Sequence, residues 1–123
     1  MTAPVVPPGW PEPVRPPQST GWQRSAIGWL LDLCPADYRA HPVLTRHPHT
    51  LVLLAGHHVR ADLAALHEAR AQARAELSDL VPATVIEELL EVLDAEQVRL
   101  VAAARGVHLI REALRGNRYV PRL

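Results

Sequence analysis

Two long apolar stripes, separated only by a Val81-Pro82 joint, constrain this chain more than any other feature. The first stripe is Val52, Ala55, Val59, Leu63, Leu66, Ala69, Ala73, Leu77 and Leu80. The second is Ile86, Leu89, Leu93, Gln97, Leu100, Ala103, Val107, Ile110 and Leu114. Each advances by about 3.5 residues per step, the period of packed helices with a gentle left-handed supercoil. The pattern predicts one helix over 50–80 and another over 83–115, the second opened by Pro82 and stopped by Gly116. At 1.5 Å per residue each would be about 45–50 Å long. A joint this short allows only an antiparallel hairpin, so the expected fold class is all-α.

Upstream, 1–20 hold seven prolines and are expected to be an extended, mostly unpacked tail, with Trp10 and Val14 adding a little packing. Three PxxP spacings fall there, at Pro4/Pro7, Pro8/Pro11 and Pro13/Pro16, a pattern that also docks into aromatic grooves. Ser19 or Thr20 is placed to cap a short helix over 21–33, with Trp22, Ala26, Trp29, Leu30 and Leu33 on one face. Pro35 stops that helix and starts a turn through Tyr38, and Pro42 and Pro48 suit first helical positions. The organisation expected is a tail over 1–20, a single helical domain over 21–116 and a basic tail over 117–123.

Composition excludes several function classes. The 123 residues fit one small domain. Thirteen Arg and no Lys balance thirteen acidic residues, which weakens the case for nucleic acid or membrane as main partner. Without Lys there is no Schiff base and no phosphate-loop lysine. Cys34, alone, permits neither an intrachain disulfide nor a multi-thiolate zinc site, and reads as a structural thiol. The longest uninterrupted apolar runs, Leu51 to Gly56 among them, are far below the ~20 residues of a membrane span, and the proline-rich start is not expected to be a signal peptide. A cytoplasmic location is expected. Zero net charge still hides a gradient along the second helix, from Glu87, Glu88, Glu91, Asp94 and Glu96 to Arg99, Arg105, Arg111 and Arg115. That order opposes the helix dipole and explains itself as helix stabilisation.

A hairpin turning at 81–82 brings Gly56 level with Gly106, two interior helix positions where glycine costs about 1 kcal/mol against alanine. They are expected to form a packing notch filled by Trp22 or Trp29. The alternative occupant is a metal ion, zinc being the natural choice, held by His57, His58, Asp62 and His108. Against it, adjacent His57 and His58 point about 100° apart on a helix. His67-Glu68 resembles the phosphoacceptor pair of sensor-kinase dimerisation helices, but the polar residue four positions on is Ala71. Arg111, Arg115, Arg118 and Arg122 form the one basic concentration, open to an acidic protein or, as a further alternative, to nucleic-acid phosphate.

The second helix is apolar beyond its first seam, at Val85, Val92, Val98, Val101 and Leu109. A two-helix contact buries one stripe per helix, so the surplus calls for the Trp helix and for a second copy in a four-helix arrangement. No Ser-His-Asp order, glycine-rich phosphate loop or carboxylate dyad is present. The function expected is therefore non-enzymatic: protein–protein interaction without a cofactor, as a homodimer or with another helical protein. The run from Trp29 through Leu-Leu-Asp-Leu-Cys-Pro-Ala-Asp-Tyr-Arg-Ala-His-Pro-Val-Leu-Thr-Arg-His to Pro48, with the Ala/Arg/Leu-rich hairpin after it, resembles small helical proteins of high-GC Gram-positive bacteria. The resemblance covers about residues 20–115, implies no activity and transfers no catalytic residue.

Overall fold

Prolines set where every helix after the first begins. In the computed structural model, which describes residues 5–121, α1 (Trp22–Asp32) leads into a 3-10 turn (Ala36–Ala40) behind Pro35. The short α2 (Pro42–Thr45) and the long α3 (Pro48–Leu77) each carry proline in the first turn, where its missing N–H costs nothing. Pro82, in extended geometry, precedes α4 (Ala83–Leu114). The chain is all-α, and α3 and α4 form the long antiparallel hairpin.

Boundaries follow local chemistry. α3 stops at Leu77, earlier than its apolar stripe, because Leu80 and Val81 N–H both turn back onto the Leu77 carbonyl. At the far end of α4, Gly116 has φ +82 and donates to the Ala113 carbonyl, while Asn117 N–H donates to Glu112. That pair of bonds is a Schellman cap, which requires the left-handed conformation glycine adopts freely. The start of α1 differs from expectation. Gly21 (φ +77) is its N-cap, without a side-chain bond, and the Ser19 hydroxyl donates instead to the Pro16 carbonyl at 2.5 Å. The reversal at Gly21 leaves Ser19 and Thr20 in the preceding turn.

The core lies at the open end of the hairpin. Leu30 of α1, Leu51 and Val59 of α3, and Ile110 of α4 are its largest fully buried side chains. Ala26 and Ala55 are also sealed, and their small size permits close helix approach. Toward the turn the burial thins: Ala73, Ile86 and Leu93 are buried, whereas Leu63, Leu66 and Leu77 are half-buried.

The proline-rich segment departs from the unpacked tail expected of it. Over the described residues it forms a strap: Pro7, Trp10, Pro11 and Val14 are buried, and Trp10 and Val14 belong to the core. The Trp10 indole N–H lies 3.0 Å from the Val14 carbonyl and 3.2 Å from that of Arg15, so its polar atom is satisfied within the strap. Its ring packs on Trp22 with centroids 5.9 Å apart. Arg15 N–H donates to the Ser25 hydroxyl at 2.9 Å, and the Gln18 side chain donates to the Ala113 carbonyl at 3.2 Å. Proline-fixed φ lowers the entropy lost on ordering this run of turns, in which Trp10 N–H donates to the Pro7 carbonyl and Val14 N–H to the Pro11 carbonyl. Pro4, half of the first PxxP spacing, lies outside the described residues, and Pro7 and Pro11 face inward rather than toward a partner.

Candidate interaction surface

Val85, Val92, Arg99, Gly106 and Ala113 follow one another at seven-residue intervals, close to two helical turns, and so run down one flank of α4. The flank changes character along its length. At Gly106 a Cβ would stand 2.7 Å from Pro11 Cγ and 2.8 Å from Trp29 Cη2, leaving no room for any side chain. Ala113 is buried, with its carbonyl bound by Gln18. Beyond Arg99 this cover ends: Val85 is 43% exposed and Val92 62%. Leu80, at the turn, is 75% exposed. Arg99 marks the border and pairs with Glu96 on the same helix. That hydrogen bond holds the Glu96 carboxyl below its usual range and the Arg99 guanidinium above its own. Val98 and Val101, away from the first seam, are also exposed.

The two glycines sit level, but they do not share a notch. A Cβ on Gly56 would lie 3.6 Å from Val107 Cγ1 and 3.2 Å from Arg111 Nη2, so α3 and α4 meet in the expected register. Gly106 opens in another direction, onto Trp29 and Pro11. Trp22 lies against Trp10 instead.

The four candidate metal ligands are not brought together. His57 is exposed and bonds Arg60 Nη2 at 3.1 Å, while His58 Nε2 meets the Tyr38 hydroxyl at 2.7 Å with the rings edge to face. Asp62 and His108 are exposed. Among the described residues, no group of three or more His, Cys, Asp or Glu side chains could hold an ion. Sequence neighbours on a helix diverge, and each imidazole is drawn to a different partner.

Three of the four C-terminal arginines fall within the described residues. Arg111 extends across Gly56, Arg115 stands 4.0 Å from Glu112, and Arg118 lies beyond the helix end. Arg122 is outside the described residues. His67 is exposed, and Glu68 accepts a bond from Gln72. Cys34 is half-buried; burial pushes its thiol up, opposed by the charge of Arg39. Sequence reasoning missed Pro7 and Pro11 as packing residues. The 7, 10, 11, 14 spacing of Pro7, Trp10, Pro11 and Val14, which places apolar groups along one side, was the available signal.

Among the described residues no helix is long and apolar enough to cross a membrane. No known protein family, curated protein or solved structure matches the chain.

Proposed function

We propose that this chain is a cytoplasmic, non-enzymatic protein that associates with a second copy of itself through the turn end of its hairpin. The observation that supports this reading is the flank of α4, covered by Trp29 and Pro11 at Gly106 and bare at Val92 and Val85. Two hairpins meeting on this flank form a four-helix arrangement in which each protomer supplies Leu80, Val85 and Val92, so every buried side chain counts twice. Covering the surface still exposed on each valine contributes up to about 1 kcal/mol toward the cost of association.

Light scattering of the purified chain tests the reading. The expected mass is twice 13.6 kDa, falling to 13.6 kDa in the Val85→Glu/Val92→Glu variant with helicity unchanged. A wild-type chain that stays at the single-chain mass at high concentration overturns it.

A further inference from the structure

At the opposite end of the hairpin, a cleft of about 710 Å³ opens between the strap, the last turns of α4 and residues 117–120. The volume is that of a small-molecule site, for which mostly apolar walls with a few converging polar groups are usual. Trp10, Leu109 and Ala113, all three largely buried, supply apolar wall. Arg105, His108 and Arg118 bring donors to the same space. Glu112 is the one carboxylate in the lining, and it already accepts a bond from Asn117 Nδ2 at 2.5 Å and stands 4.0 Å from Arg115. Neither Arg105 nor Arg118 forms an ion pair among the described residues.

A cleft with apolar walls, two guanidinium groups and an occupied carboxylate selects charge and shape together. We infer that it binds a small organic anion, a carboxylate carried on an apolar body. Guanidinium suits this role because its planar fork takes a carboxylate through two parallel bonds, a geometry an ammonium lacks.

Titration with decanoate and with decanol, both kept below micelle formation, tests the inference by calorimetry and by backbone amide shifts. Decanoate is expected to bind at least tenfold tighter than decanol, with the shifts centred on Leu109 and Ala113. Arg105→Gln/Arg118→Gln is expected to remove that tenfold difference while leaving the circular dichroism unchanged. Arg118→Gln alone, beyond the end of α4 and so independent of helix packing, is expected to remove part of it. Equal binding of acid and alcohol, no binding, full affinity in the double variant, or shifts centred on Val85 and Val92 would each overturn the inference. Because the cleft and the bare flank lie at opposite ends, its failure leaves the mass measurement unaffected.

Discussion

At the open end of the hairpin, Leu51, Val52, Ala55 and Val59 of α3 belong to one core with Leu100, Ala103, Val107 and Ile110 of α4, together with α1 and the strap. At the turn end, Ala73, Ile86 and Leu93 are buried with only the two long helices to cover them, and Leu80, Val85 and Val92 remain in water. The helices are continuous through both halves. Helical periodicity therefore forms the scaffold everywhere, while packing on more than one side of the hairpin is confined to the open end. A helix longer than its covering layers keeps part of its apolar stripe exposed.

Substitutions separate the halves. Leu30→Ala, at a fully buried open-end site, is expected to cost about 3 kcal/mol, and half-buried Leu77→Ala at the turn end about 1 kcal/mol. Urea midpoints at constant slope measure both. Trp10→Ala is expected to cost about 2–3 kcal/mol in the same assay; no change would mean that the strap adds nothing to the covered half.

Glycines give a finer contrast. Gly106→Ala is expected to lower stability by about 1–2 kcal/mol, because the new methyl collides with the Trp29 and Pro11 rings. Gly28→Ala in α1 meets nothing within 4 Å and is expected to raise stability by about 0.5–1 kcal/mol. Thermal midpoints moving in the same direction would break this assignment of the cover to Gly106.

The smallest effect is at Cys34. Its thiol is held above the usual range, so the folded chain keeps its proton where the unfolded chain ionises. Its contribution to stability is present below the ordinary thiol pKa and is lost as pH rises through the folded value. Iodoacetamide at mildly alkaline pH is expected to alkylate the native chain several-fold more slowly than the urea-unfolded chain.

The hairpin was legible because its signal is periodic and long: thirty-residue stripes and a proline at the joint leave few alternatives. The level of Gly56 with Gly106, beside the observed neighbour Val107, followed from the turn position alone. The strap was not legible, since proline composition reads as disorder until a tryptophan is seen to have a pocket. Nor was the fate of the histidines. His58 is turned toward Tyr38, twenty residues earlier, and no spacing rule carries that contact. The separate surroundings of the two glycines were not legible either, because the direction in which each helix face opens depends on α1 and the strap.

Hydrogen exchange at two protein concentrations tests the central claim, that the turn end is completed by a second copy. Amides of residues 85–99 are expected to gain protection as concentration rises through the association range, while those of 51–59 and 103–110 stay constant. Turn-end amides whose protection is independent of concentration would contradict it.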